Sequence, residues 1–250
     1  MSKLRIIPTI LTDGMTVVKG KNFDNWRTVG NVQAIAMLYA KRDVDELMFL
    51  DVTARKNGTR ISVELVKIFS NCLNIPFSVG GGINTIEEAT EYFRNGAEKV
   101  VLGTSSIQNP NLVNAIASKF GSQAVIVSVD LQKKGNGSIM QNSGSSVAQI
   151  SATELMEISI SNGAGELLIQ NVENEGEMKG YDVETIANMR AMTNLPIIAS
   201  SGCGGVQHAI QAVEAGASAI AVGSLFQFTE ETPRSLRIGL EQQGFKLRRN

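Results

Sequence analysis

A stretch of the chain that occurs twice constrains the fold more than any other feature. Residues 76–106 match residues 196–226 without a gap, and each copy has the pattern of strand, glycine-rich turn, amphipathic helix, strand and small-residue turn. The identical pairs, 120 residues apart, are Pro76 and Pro196, Gly82 and Gly202, Ala89 and Ala209, Gly96 and Gly216, Ala97 and Ala217, and Gly103 and Gly223. A half-chain repeat within alternating strand and helix signals predicts an α/β fold: one (β/α)8 barrel made of two half-barrels.

The length of the chain fits this fold. It has 250 residues, the usual size of one such barrel, and no linker or low-complexity segment divides it. We therefore predict a single domain over residues 1–250, with half-barrels at about 1–120 and 121–250. The segment 12–31 has two glycines and mixed polarity, and it is expected to form a long loop or a small hairpin at the strand-end face.

Composition excludes several classes of function. The net charge is −1, so no basic surface predicts a nucleic-acid partner, and no apolar run approaches the roughly 20 residues of a membrane span. Cys72 and Cys203 lack metal-ligand spacing, and His208, the only histidine, is interpreted as a surface residue of a helix. We predict a cytoplasmic protein with reduced cysteines, no metal and no cofactor.

The glycine-rich strand ends predict the ligand class. Gly82 and Gly202 follow equivalent strands, and Gly103-Thr104 and Gly223-Ser224 follow the next strands. Small residues allow backbone N–H groups to approach an anion closely, and a hydroxyl adds another donor. Tight turns alone would explain one such cluster. Two equivalent clusters favour a ligand with a phosphate at each end.

Carboxylates at strand ends are the candidates for acid–base chemistry. Asp51 and Asp130 each end an apolar strand, on the face where barrel enzymes place their catalytic groups. Burial there raises a carboxylate pKa and suits it to proton transfer. For Asp51, an acid that accepts loop N–H groups is an equally good interpretation. The residue 120 positions before Asp130 is Ile10, which is followed by Leu11. The first half therefore carries no acid at the equivalent strand end, and the next acid along the chain is Asp13.

The chain resembles the cyclase subunit of imidazole glycerol phosphate synthase, a (β/α)8 barrel of histidine biosynthesis, essentially from end to end. The segments that carry the resemblance are Arg5-Ile6-Ile7-Pro8, Val17-Val18-Lys19-Gly20 with Asn22-Phe23, Phe49-Leu50-Asp51-Val52-Thr53-Ala54, Val79-Gly80-Gly81-Gly82-Ile83, Phe120-Gly121-Ser122-Gln123-Ala124-Val125, Gly180-Tyr181-Asp182 and Pro196-Ile197-Ile198-Ala199-Ser200. The resemblance implies a lyase within a glutamine amidotransferase complex. A glutaminase subunit would supply ammonia at the bottom of the barrel. At the top, a bisphosphorylated aminoimidazole-carboxamide ribonucleotide would become imidazole glycerol phosphate and a purine intermediate.

The resemblance also implies a role for each matching residue. Asp130 would be one of two catalytic aspartates. Substrate and phosphate would be bound by Lys19, Asp51, Gly82, Thr104, Gly202, Gly223 and Ser224. An ammonia gate at the barrel bottom would be formed by Arg5, Glu46, Lys99 and Glu166, and the glutaminase would dock at Glu98 and Gln123.

Departures from the family pattern lie on the substrate face. Leu11, or Ile10 if the one-residue shift is placed differently, stands where the family has its other catalytic aspartate. Gly103 replaces an asparagine, and Gln170-Asn171 replaces a threonine–serine pair. Because leucine cannot transfer a proton, the main hypothesis is a cyclase-like subunit with impaired or absent cyclase activity. It would form a heterodimer with the glutaminase and deliver ammonia to a third enzyme. Its resemblance to second copies of this subunit implies an amidotransferase that makes acetamidino sugars for bacterial surface polysaccharides.

Three alternatives remain open at this point. The first is a working histidine-pathway cyclase in which Asp13 or a water replaces the missing acid. The second is the sibling isomerase of the pathway, which the gate residues and the Phe120–Gln123 segment disfavour. The third is a non-catalytic scaffold that only switches on the glutaminase.

Overall fold

The computed structural model describes residues 3–42, 44–133 and 138–248. The strands are Arg5–Asp13 (β1), Thr16–Lys21 (β2), Asp24–Asn31 (β3), Leu47–Asp51 (β4), Phe77–Gly80 (β5), Lys99–Leu102 (β6), Val125–Gln132 (β7), Ser138–Gln141 (β8), Ser146–Val147 (β9), Glu166–Asn171 (β10), Ile197–Ser200 (β11) and Ala219–Val222 (β12). The α-helices are Val32–Ala40 (α1), Val63–Cys72 (α2), Ile86–Arg94 (α3), Thr104–Gln108 (α4), Asn111–Phe120 (α5), Ala152–Ser161 (α6), Val183–Met192 (α7), Val206–Glu214 (α8), Ser224–Phe228 (α9) and Pro233–Gln242 (α10). Two short 3-10 helices are Ser122–Ala124 and Val172–Asn174.

Parallel strands close into a barrel, as the repeat predicts. The hydrogen-bonded order is β1, β4, β5, β6, β7, β10, β11, β12 and again β1, and the β7–β10 and β12–β1 pairings complete the circle. Helices follow the strands and cover the outside. The fold is therefore a (β/α)8 barrel. We call the carboxyl ends of its strands the upper end and the amino ends the lower end.

The internal repeat holds in three dimensions. The strands β5 and β6 with helices α3 and α4 begin and end 120 residues before β11, β12, α8 and α9. The predicted hairpin also forms, since β2 and β3 pair in antiparallel fashion after β1. The segment 132–144, rich in Gly, Lys, Asn and Ser, is expected to be a loop or short hairpin; β8 pairs in antiparallel fashion with β7 there, and residues 134–137 lie outside the described residues.

Side-chain alternation along the strands divides the barrel interior into layers, because successive residues of a strand face opposite sides of the sheet. A buried apolar layer fills the middle of the barrel: Ile7, Met48, Val101, Ile126, Leu168, Ile198, Ala219 and Ala221. The neighbouring strand residues, such as Ile6, Phe49 and Val127, belong instead to the larger core that packs under the helices. On β1, β4 and β10 the residues two positions from the middle layer reach the two ends of the barrel. The chemistry is therefore confined to those ends.

Candidate functional site

A pocket opens at the upper end of the barrel and collects most of the predicted substrate residues. Its lining includes Lys19, Asp51, Gly82, Thr104, Asp130, Gly202, Gly223 and Ser224. They come from β2 and from the ends of six barrel strands, so distant parts of the sequence meet there. The charged residues of this lining are Lys19, Arg55, Asp51, Asp130 and Glu175.

The second glycine cluster, formed by Gly202, Gly223 and Ser224, includes buried polar atoms that lack partners. Lys19 is 1% exposed, and neither its Nζ nor the Ser224 Oγ has a hydrogen-bond partner within the described part of the chain. Burial lowers the pKa of Lys19, and the charge of Glu175 opposes this shift. Such atoms are costly to bury unless something pairs with them, so they indicate a ligand with anionic oxygens.

Glycine allows close packing in this cluster. A Cβ on Gly223 would lie 2.3 Å from the Lys19 Nζ, and a Cβ on Gly202 would lie 2.1 Å from the Gly180 carbonyl oxygen. Gly180 N–H in turn donates to the Gly202 carbonyl at 2.7 Å. The absence of side chains therefore brings the lysine and the backbone together around one small space.

The first glycine cluster, Gly82 and Thr104, lies on the other side of the pocket. Gly82 has φ +71°, and its carbonyl accepts a hydrogen bond from Asn84 Nδ2 at 2.6 Å. Thr104 Oγ1 accepts from the Asn142 backbone N–H at 2.8 Å, so its own hydroxyl hydrogen is directed elsewhere. The two clusters are thus arranged as the duplicated sequence predicts, but they have different neighbours.

Gly82→Ala is expected to lower the free energy of unfolding by roughly 1–3 kcal/mol, because the added Cβ meets the Thr59 carbonyl oxygen at 2.1 Å and positive φ disfavours alanine. Chemical denaturation measures the loss. Gly58→Ala is the matched control, since its φ is also positive (+65°) but no described atom lies within 4 Å of an added Cβ, so its loss should be smaller. Equal stability of the two variants would contradict the prediction.

Asp130 lies in a hydrogen-bonded group between the clusters. Ser128 Oγ donates to Asp130 Oδ1 at 2.6 Å, and Gln170 Nε2 donates to the same oxygen at 3.0 Å. Ser200 Oγ fixes the amide by donating to Gln170 Oε1 at 3.1 Å. Burial raises the pKa of Asp130, and the bonds from Ser128 and Gln170 oppose that shift. Both bonds reach Oδ1, and no hydrogen bond from the described residues reaches Oδ2, which is therefore available for a ligand.

Leu11 occupies the pocket wall and is 6% exposed. Asp13, the residue considered as a substitute, is exposed at the end of β1, where its Oδ1 accepts from Thr53 Oγ1 at 2.8 Å. Asp51 lines the pocket, and its Oδ1 accepts the N–H groups of Thr53 and Ala54 at 3.0 and 2.9 Å. Burial raises the pKa of Asp51 against these bonds. The loop-anchoring interpretation of Asp51 is therefore supported by geometry.

The four predicted gate residues meet at the lower end of the barrel. Glu46 accepts from Arg5 Nη1 at 2.9 Å and from Lys99 Nζ at 3.0 Å. Glu166 is paired with the other guanidinium nitrogen of Arg5 and with Lys99 at 2.6 Å. The four side chains are between 2% and 14% exposed. Two cations and two anions thus form a closed ring, which we call the charged ring, directly below the apolar layer.

Glu98 and Gln123 are exposed at the same lower end, just before β6 and β7. Gln123 Nε2 donates to the Phe120 carbonyl at 3.0 Å. The structure therefore brings the residues predicted to contact a glutaminase to the face that holds the charged ring. Their role remains a prediction.

Three details differ from the sequence interpretation or extend it. His208 is partly buried rather than simply superficial, and its Nδ1 accepts the Gly204 N–H at 3.0 Å beside the second glycine cluster. Asn171 points away from the pocket to Asp182, whereas Gln170 points into it. Among residues 3–42, 44–133 and 138–248, no group of three His, Cys, Asp or Glu side chains is placed to hold a metal, and no helix is long and apolar enough to span a membrane.

Several pocket residues were missed by the sequence interpretation, namely Ser128, Glu175, Ser201 and Arg55. A signal was available for three of them. Ser128 is two residues before Asp130 and so shares its face of β7. Arg55 and Glu175 are 120 residues apart and occupy equivalent places in the repeat.

These features define a class: a (β/α)8 barrel with a two-ended polar pocket above and an ion-paired ring below. The model of the histidine biosynthesis protein family matches residues 5–232. The chain therefore belongs to that family.

Individual relatives show which member of this family the chain resembles. The chain is 36% identical over 252 residues to the imidazole glycerol phosphate synthase subunit HisF of Thermobifida fusca (strain YX), covering 98% of both chains. It is 38% identical over 245 residues to the subunit of the same name from Thermotoga sp. (strain RQ2), covering 98% of this chain and 97% of the relative. The subunit of Corynebacterium glutamicum (strain R) is 35% identical over 254 residues, with 98% of both covered. The chain is thus an imidazole glycerol phosphate synthase cyclase-like protein, as the motifs predict.

Proposed function

We propose that this chain is the cyclase-type subunit of an imidazole glycerol phosphate synthase, a cytoplasmic enzyme of histidine biosynthesis. It would bind a bisphosphorylated ribonucleotide at the upper end and receive ammonia from a glutaminase at the lower end. One observation carries the proposal: the pocket holds Asp130, with a raised pKa, between two glycine clusters. This arrangement provides an anion site at each end of a ligand and an acid–base group between them.

The unpartnered atoms of the second cluster support the ligand class. A phosphate oxygen between the Lys19 Nζ and the Ser224 Oγ would satisfy both buried groups at once. Buried lysine loses most of its hydration, so an anionic partner with full charge is favoured over a neutral one. A sugar hydroxyl alone would not compensate the lysine charge.

The charged ring and the layer above it support the ammonia route. The ring closes the lower end, and the buried side chains between ring and pocket are mainly apolar, with Ser78, in register with Met48, as a polar member whose hydroxyl donates to the Leu47 carbonyl at 3.4 Å. Neutral ammonia crosses an apolar layer at less cost than ammonium, because a charge loses hydration there. Breaking the ring with Lys99→Met is therefore expected to uncouple glutamine hydrolysis from product formation if a glutaminase docks at this face.

Leu11 favours a second candidate function. Removal of a general acid or base typically lowers the rate by about 10²–10⁴-fold. Asp13 is bound to Thr53 and exposed, so its geometry does not favour replacement of the missing acid. Under this second hypothesis, the chain has impaired cyclase activity, and a third enzyme uses the ammonia, for example in sugar amidination.

The deciding experiment measures ammonia-dependent turnover of the ribonucleotide precursor by the purified chain, with saturating ammonium salt and no glutaminase. Turnover comparable to that of a HisF relative assayed in parallel supports the first function. Turnover at least about 100-fold lower, partly restored by Leu11→Asp, supports the second. Lack of binding of the ribonucleotide would contradict both.

A further inference from the structure

Arg55 is a cation of the pocket to which the sequence assigns no role. It follows β4 and reaches the first glycine cluster through its neighbours. Its Nη1 donates at 2.6 Å to Asn84 Oδ1, and Asn84 Nδ2 donates to the Gly82 carbonyl. Its Nε donates at 3.3 Å to Asn142 Oδ1, and the Asn142 N–H donates to Thr104. A single asparagine therefore links the guanidinium to each member of the cluster: Asn84 links it to Gly82, and Asn142 links it to Thr104.

The partners of Arg55 fix its position without compensating its charge. A third amide oxygen, Gln108 Oε1, accepts from Nη2 at 2.5 Å, so the three described hydrogen bonds of the guanidinium all end on neutral amides. Within the described ranges of the chain, no carboxylate forms a salt bridge with it. A positioned but uncompensated guanidinium has the planar fork that suits a phosphate.

Comparison of the two halves of the repeat shows that Arg55 has no charged counterpart of the same sign. Glu175 stands 120 residues after Arg55, and Ser201 Oγ donates to its Oε2 at 2.8 Å. At the second cluster the charge of Glu175 therefore accompanies that of Lys19. The residue 120 positions after Lys19 is Ile139, so the position of the second hairpin that is equivalent to Lys19 carries no charge. Among the described residues that line the pocket, each cluster thus has one cation, and both cations come from the first half of the chain.

We propose that Arg55 is an anion-binding residue of the first glycine cluster. It binds the phosphate at the end of the ligand opposite to the end held by Lys19. The inference rests on the proposed function, because it names a new residue in the same pocket. It also defines the ligand more closely: a phosphorylated end meets a full positive charge at the first cluster, whereas at the second cluster a carboxylate offsets part of the lysine charge.

The test is a titration of the full chain with inorganic phosphate. The readout is the NMR signal of two backbone amides, Thr104 for the first cluster and Ser224 for the second. Arg55→Gln is expected to weaken the phosphate dependence of the Thr104 signal by about tenfold or more, because a charge-assisted hydrogen bond is lost. The Ser224 titration is expected to stay within about twofold. Arg94→Gln, an exposed arginine at the end of α3, is the matched control and should change neither titration.

Arg55→Lys separates binding from loop support, since lysine keeps the charge but cannot reproduce three amide contacts. We expect it to retain part of the affinity that Arg55→Gln loses, and added NaCl should remove this advantage. An unchanged Thr104 titration in Arg55→Gln, or equal losses in the glutamine and lysine variants, would overturn the inference while the Ser224 titration still supported the proposed ligand class. Phosphate that shifts neither signal in the unmodified protein would overturn both.

Discussion

Asp130→Asn is expected to lower ammonia-dependent turnover of the ribonucleotide by about 10²–10⁴-fold, since asparagine keeps the shape of the side chain but cannot transfer a proton. Asp130→Asn should be tested in the unmodified chain and again in a chain that carries Leu11→Asp. The second background is expected to turn over faster, so a loss of rate is easier to measure. Ligand binding should change less than turnover, because Asp130 forms no described hydrogen bond with either glycine cluster and asparagine keeps an oxygen or amide at each position of the carboxylate.

Stability distinguishes a chemical loss from a structural one. Burial raises the pKa of Asp130 in the folded chain, so the unfolded chain ionises first as the pH rises, and this group then lowers stability. Asp130→Asn should therefore be at least as stable as the unmodified chain at pH 7, and any advantage should vanish at low pH. Glu214→Gln, an exposed acid at the end of α8, is the control and should alter neither rate nor stability. A variant that keeps full turnover would remove Asp130 from the acid–base role.

Glu166→Gln is expected to reduce the free energy of unfolding by about 3 kcal/mol at pH 7, because it leaves Arg5 and Lys99 buried with one carboxylate, Glu46, between them. Denaturant unfolding measures the loss. Glu157→Gln, on an exposed position of α6, is the control and should stay within about 0.5 kcal/mol.

The same substitution carries a pH signature. Burial alone would raise the pKa of Glu166, but the hydrogen bond and charge of Arg5 and the charge of Lys99 outweigh it and hold the pKa below its ordinary value. A lowered folded-state pKa stabilises the chain above the unfolded-state pKa, and this contribution is lost as the pH falls toward the folded-state pKa. The difference between Glu166→Gln and the unmodified chain should therefore be full at pH 7 and shrink below about pH 4.3. A difference that is independent of pH would contradict the ion-pair explanation.

The repeat predicted the barrel because it fixed both element type and spacing. Strands β5 and β11 and helices α3 and α8 begin 120 residues apart, as the paired prolines and glycines imply. Strand-end acids were also placed well, since a parallel barrel brings all carboxyl ends to one face. Capping is less predictable: a serine at the start of a helix is expected to cap it, but the side chain of Ser62, at the start of α2, makes no capping hydrogen bond.

Contacts made by long side chains could not be predicted from position alone. The guanidinium of Arg55 reaches residues that are 29, 53 and 87 positions away, and no local pattern fixes which of them it meets. The directions of the last two side chains of β10 were equally hard to predict. Gln170 enters the pocket and Asn171 leaves it, which follows from alternation only once the strand register is known.

The β2–β3 hairpin crosses between the two halves of the barrel. The N–H of Asn22 donates to the Glu175 carbonyl at 3.0 Å, Lys21 pairs with Glu177 at 3.1 Å, and a Cβ on Gly176 would lie 2.2 Å from the Gly20 carbonyl oxygen. Lys19, from the first half, thereby lies against Gly223 of the second. The duplicated halves are consequently not interchangeable modules: residues 121–250 expressed alone would lack the lysine of their own glycine cluster, whereas residues 1–120 would retain Arg55 for theirs.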